Sequence, residues 1–187
     1  MSESTLETNE PRLAKLRAYY EQLGIADRKH TQRTFWDHVE GTYRLLESWR
    51  CARAVCEAGV FHSIYGTERF RSFELPLDRR PELQALIGEE AEELAYLNCF
   101  MERSTFDADI QRPEPPPRIR HRTAGVEIRI APDRFDALCC VHLADWVESV
   151  GRWKGWNERR ATYDRLAQCL GGWQELGVAR RLGLEGS

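Results

Sequence analysis

The sequence has no apolar run approaching the roughly 18 residues that a membrane-spanning helix requires, so no such helix is expected. Lysine is nearly missing: of 27 Lys and Arg residues, 24 are arginine. That skew reads as coding bias before it reads as function. An excess of either charge is also lacking. The 27 basic residues face 30 acidic ones, for a net charge of −3, which excludes a strongly basic nucleic-acid binder and an acidic disordered chain. Residues 1–10 are polar and acidic and lack the basic and apolar regions of a secretory leader. They read as a disordered lead, and the expectation is a cytoplasmic protein with reduced thiols. No Cys-x-x-Cys pair occurs among Cys51, Cys56, Cys99, Cys139, Cys140 and Cys169, so neither a zinc knuckle nor a dithiol redox motif is expected. Five of the six lie in apolar helical stretches and read as small buried hydrophobes. There is no internal repeat.

What is present is enough for one core. At 187 residues and 42% hydrophobic content, the chain has the size of one domain, here residues 11–187. Pro11 opens a helix carrying Leu13, Leu16, Tyr20 and Leu23, which Gly24 closes. After a polar stretch, Thr34 caps a second helix holding Phe35, Val39, Leu45, Leu46 and Trp49. A third, Ala52 to His62, is apolar on more than one side, which predicts a central position. Pro81 opens another helix. Gly88 breaks it, and a helix over Glu89–Glu102 follows. The run Glu89-Glu90-x-Glu92-Glu93 reads as a solvated face, with an inward turn of Glu93 the lesser alternative. Residues 104–117, ending in Pro115-Pro116-Pro117, read as a stiff extended linker. Residues 118–130 alternate at period two around Thr123-Ala124-Gly125, a β-hairpin pattern. The arginines on it, Arg118, Arg120 and Arg122, read as a charged exposed edge. Helices from Pro132 to Gly151 and from about Asn157 to Leu176 complete a mostly helical chain.

Only five histidines occur: His30, His38, His62, His121 and His142. His38 lies early in the second helix and His62 at the end of the third. A helix, a short turn and an antiparallel helix bring two such positions side by side, and imidazole is the commonest side chain for holding a divalent metal near neutral pH. Asp145 is the best third ligand, because it sits in an otherwise apolar helix and a buried carboxylate needs a partner. His142 shares its face, as a ligand or a neighbour of one. The alternatives are helix-terminal histidines, a carboxylate paired with an arginine, and a core histidine.

Asp37-His38 on one helix, Ala58-Gly59-Val60-Phe61-His62 closing the next, and Ala144-Asp145 on a late helix together resemble the HD-domain superfamily of metal-dependent enzymes. Leu46-Glu47-Ser48-Trp49 and His62-Ser63-Ile64-Tyr65-Gly66-Thr67-Glu68 are similar to a group of uncharacterised bacterial HD-related proteins. The resemblance spans roughly residues 30 to 150. It implies an all-α, HD-like bundle, here with one small hairpin, and a metal-dependent hydrolase. One position departs from the pattern: the Asp of the His-Asp pair is Ser63, which disfavours a dinuclear site. His38, His62 and Asp145 remain as a mononuclear set for Fe(II), or for Zn, Mn or Ni.

Around that set, His30 and Arg33 are candidates to bind an anionic substrate group. Glu68 is a candidate general base, and Tyr65 a proton donor or substrate contact. Ser63, Thr67 and Trp36 are candidates to line the pocket, as is Trp146. Each has a plain structural alternative in a solvated loop, a self-stabilising turn or core packing. Three functions follow: a hydrolase of a small phosphoester or nucleotide, an O₂-dependent iron enzyme, and a non-catalytic HD-like scaffold that binds a ligand or partner. The expected partner is a small polar or anionic molecule, with a homodimer allowed, and neither nucleic acid nor membrane.

Overall fold

Thr34 starts the helix on which the rest of the site depends. Its hydroxyl accepts from the Asp37 backbone N–H at 3.1 Å, while Asp37 Oδ2 accepts from the Thr34 N–H at 3.1 Å. This reciprocal capping box satisfies two otherwise orphaned donors, and it sets the phase of α2, Phe35–Ser48. Phe35, Trp36, His38, Val39, Thr42, Tyr43 and Leu46 then fall on its buried side.

The computed structural model describes residues 10–30, 33–110, 117–150 and 159–172. Before α2 comes α1, Glu10–Gln22, whose Leu13, Leu16, Tyr19 and Tyr20 are buried. A minimal antiparallel pair follows, β1 Lys29–His30 with β2 Arg33–Thr34. After α2 come α3, Arg53–Val60, α4, Arg80–Ile87, and α5, Glu89–Phe100. Next are α6, Arg103–Ile110, the hairpin β3 Arg118–Arg120 and β4 Glu127–Arg129, α7, Pro132–Ser149, and α8, Arg160–Cys169. The described fold is therefore mostly helical with the expected small hairpin at 118–129, and β1–β2 is a further short pair in a stretch read as polar loop.

The core is built where α2, α3 and α7 pack on one another, with α5 against α3 and α7. α7 is buried over its later turns, where Leu138, Val141, His142, Leu143, Ala144 and Val147 have no solvent exposure, while Asp133 and Asp136 near its start are exposed. Close approach of α2 and α3 depends on Gly59, where a Cβ would stand 2.3 Å from Leu46 Cδ1. The Tyr20 hydroxyl donates to the Val60 carbonyl at 2.8 Å, and its ring stacks on Phe61 with centroids 5.2 Å apart. These contacts pin α1 to the end of α3.

Several expectations change. Glu10, assigned to the lead, begins α1; residues 1–9 lie outside the described part, as do the expected stop at Gly151 and the final helix outside 159–172. The extended linker over 104–117 begins instead as α6, which closes against β3 and α8; residues 111–116 are outside the described part. Glu92, not Glu93, turns inward. It is fully buried and receives Arg80 Nε at 2.7 Å, Arg80 Nη2 and the Tyr65 hydroxyl at 2.8 Å, and Gln84 Nε2 at 2.9 Å. Glu93 is exposed, 3.4 Å from Arg134. Arg122 leaves the hairpin edge and donates to the carbonyls of Cys99 and Gly66, while Arg118 and Arg120 carry exposed side chains.

Candidate metal centre

Three elements bring one donor each to a single point. α2 supplies His38 from its second turn, the turn after α3 supplies His62, and α7 supplies Asp145. His38 Nε2 lies 3.3 Å from His62 Nε2 and 3.3 Å from Asp145 Oδ1, and His62 Nε2 lies 3.4 Å from Asp145 Oδ1. The two histidines are buried and Asp145 is partly exposed. Among the described residues these three form the cluster with metal-ligand potential. A triangle of that edge is what three donors about 2.0–2.1 Å from one ion make at tetrahedral angles.

Hydrogen positions follow from the outer nitrogens. His38 Nδ1 is 2.6 Å from Glu148 Oε2, and His62 Nδ1 is 2.7 Å from the Gly59 carbonyl oxygen. An ionised carboxylate and a carbonyl only accept, so each Nδ1 carries the hydrogen and donates. In the neutral rings each Nε2 therefore presents a lone pair. Two imidazole lone pairs and a carboxylate oxygen then converge without a hydrogen among them, an arrangement that a metal ion or a proton between them relieves. Without a metal, a proton on His38 takes that part. Burial opposes its charge, but Asp145 and Glu148 outweigh burial and push the imidazole up to about 9. Burial, with the His38 charge beside it, lowers His62. Burial alone would raise Asp145, but His62 and His38 hold it well below the usual carboxylate range.

The cluster forms the wall of a cavity of about 410 Å³, which Ser63, Thr67, Arg69, Phe70, Arg103, Trp146, Ser149 and Tyr163 also line. Asp145 is the one carboxylate among the lining residues, and Arg69 and Arg103 bring positive charge. Phe70, Trp146 and Tyr163 give apolar surface. The Trp146 and Tyr163 rings stack with centroids 4.2 Å apart. Burial pushes the Tyr163 hydroxyl up to about 12, so it keeps its proton at neutral pH.

Of the sequence candidates, His38, His62 and Asp145 meet, and Ser63, Thr67 and Trp146 reach the cavity. Others do not. Tyr65 turns away to donate to Glu92. Glu68 Oε1 accepts the Arg103 N–H at 3.0 Å and so caps α6 rather than facing the cavity as a base. Trp36 packs on Tyr20 and donates from Nε1 to Glu40 at 2.8 Å. Arg33 stands 3.6 Å from Glu148 Oε1, outside the cavity lining. His142 lies outside the three-donor cluster: its ring sits edge-on to Phe106 and stacks on Tyr163, and its Nε2 accepts from Arg159 at 3.2 Å. The backbone of His30 pairs with Arg33, and its side chain lies outside the described part.

Arg69, Arg103, Tyr163 and Glu148 were missed. The first three reach the cavity only through tertiary packing. Glu148 had a local signal, lying three residues after Asp145 and so on the same face of α7.

A family model described as a domain of unknown function (DUF6817) matches residues 19–103. That segment holds His38 and His62 and ends before Asp145 and Glu148. No curated protein and no solved structure matches the chain.

Proposed function

We propose that this chain is a metal-dependent enzyme of HD-like fold, with a mononuclear centre at His38, His62 and Asp145, that hydrolyses a small phosphoester or nucleotide-like molecule. The observation that carries the reading is the convergence of three acceptor atoms at 3.3–3.4 Å on the wall of a cavity. A bound divalent ion supplies Lewis acidity and lowers the pKa of a water it holds. The chain's own residues do the rest. Arg69 and Arg103 attract the anionic group, Phe70 and Trp146 exclude water beside it, and Tyr163 holds a proton on the cavity wall.

Two imidazoles and a carboxylate leave further coordination positions open, and this favours a second reading. The same set suits Fe(II), O₂ and a small polar substrate. Zinc, manganese or nickel suits the hydrolase.

His38→Ala and His62→Ala are expected to abolish metal binding while helical circular dichroism persists. Both variants retaining a full complement of metal contradicts the site. Loading the protein with each metal in turn separates the chemistries: phosphate release from a phosphoester panel marks the hydrolase, and O₂ uptake with iron alone marks the oxygenase. Wild-type protein that carries metal and does neither is a binding scaffold.

A further inference from the structure

Glu148 is among the most deeply buried charged side chains, at 2% exposure, and nothing in the proposed chemistry uses it. Its Oε2 accepts from His38 Nδ1 at 2.6 Å, while Oε1 lies 3.6 Å from Arg33 Nη1. The fold makes room for it. Gly41, one turn along α2 from His38, faces it so closely that a Cβ there would stand 2.9 Å from Glu148 Cγ and 3.0 Å from Oε1. Any other residue at 41 pushes this carboxylate aside.

We infer that Glu148 is a positioning residue: it accepts the His38 Nδ1 hydrogen, fixes the tautomer that leaves Nε2 unprotonated, and aims that nitrogen at the metal. This rests on the metal reading of His38, His62 and Asp145. Ligating histidines commonly donate their other ring N–H to a carboxylate or a backbone carbonyl, and losing that partner typically weakens metal binding about 10–100-fold. Both devices occur here. Glu148 serves His38, and the Gly59 carbonyl serves His62. The two are not equivalent, because a carboxylate also adds negative charge behind the ring and strengthens its lone pair. His38 is accordingly the ligand whose strength depends on a replaceable side chain, and α7 supplies both a direct donor, Asp145, and the group that orients a second one.

The test is zinc affinity by chelator competition, with the thermal midpoint of the metal-free protein measured beside it. Wild type comes first, then Glu148→Gln, Glu148→Asp and Gly41→Ala. The glutamine variant keeps the shape but can present its NH₂ to Nδ1 and select the wrong tautomer. Gly41→Ala displaces the carboxylate without removing it. The expected result is zinc bound about 10–100-fold more weakly by Glu148→Gln and by Gly41→Ala, with metal-free midpoints within a few degrees of wild type, and partial recovery in Glu148→Asp. Wild type that takes up no zinc, and no iron, manganese or nickel in its place, overturns the metal reading and this inference with it. Wild type that binds zinc beside variants that bind it equally well overturns the inference alone. Affinity lost only in step with a large fall in the metal-free midpoint, with no recovery by Asp, makes Glu148 a packing residue and also overturns it.

Discussion

At His38 the two ring nitrogens have opposite duties, one donating to Glu148 and the other meeting His62 and Asp145. Beside them Ser63 is buried at 5% exposure on the cavity wall, and the proposed HD-like reading would have an aspartate there. Ser63→Asp should tighten metal binding or raise its stoichiometry above that of wild type, as elemental analysis of the loaded protein reads. Unchanged stoichiometry and affinity would place residue 63 away from the ion. His38, His62 and Asp145 were legible because histidine is scarce and because a carboxylate in an apolar helix stands out. Glu148 sat in the same helix but near its end, where a charge is ordinary. Its meaning depends on Gly41, 107 positions earlier, and no local pattern shows that. Tyr65 and Glu68 are engaged elsewhere for the complementary reason. A loop leaving the site was expected to line it, but Glu92 and the N-terminus of α6 claim these two side chains.

At the scale of elements, the α2–α3 crossing sets the distance between His38 and His62. Gly59→Ala places a methyl 2.3 Å from Leu46 Cδ1, a side chain with no exposure. Overpacking there should cost about 1–3 kcal/mol, seen as a lower midpoint in denaturant with an unchanged slope. A midpoint equal to wild type would mean that the crossing has slack. The helices with capping or glycine signals were readable, including α2 behind Thr34 and the break at Gly88, whose φ is +87°. α6 was not. Ser104, Thr105, Asp107 and Asp109 are poor helix formers, and the proline-rich stretch after them argued for an extended chain. Glu68 caps the helix from a distant loop, and Phe106 buries completely, so tertiary contacts override local preference.

For the whole molecule, Glu92 should contribute to stability toward acid. Burial alone would raise this carboxyl, but Arg80, Tyr65 and Gln84 outweigh it and hold it below its ordinary value of 4.5. A carboxylate lowered in the folded state stabilises the fold above its unfolded value and loses that contribution as pH falls through the folded value. Stability should therefore decline below about pH 4.5. Glu92→Gln should be about 1.5–3 kcal/mol less stable at neutral pH and decline less steeply in acid. An acid limb as steep as wild type's would assign the effect to other groups. No helix among the described residues is long and apolar enough to cross a membrane. The central claim, that three acceptor atoms from α2, α7 and the turn after α3 hold one ion, is tested most directly by elemental mass spectrometry of the purified protein beside His62→Ala prepared identically. About one divalent metal per chain is expected in wild type and none in the variant. Protein that carries no metal, and takes none up on reconstitution with iron, zinc, manganese or nickel, would contradict it.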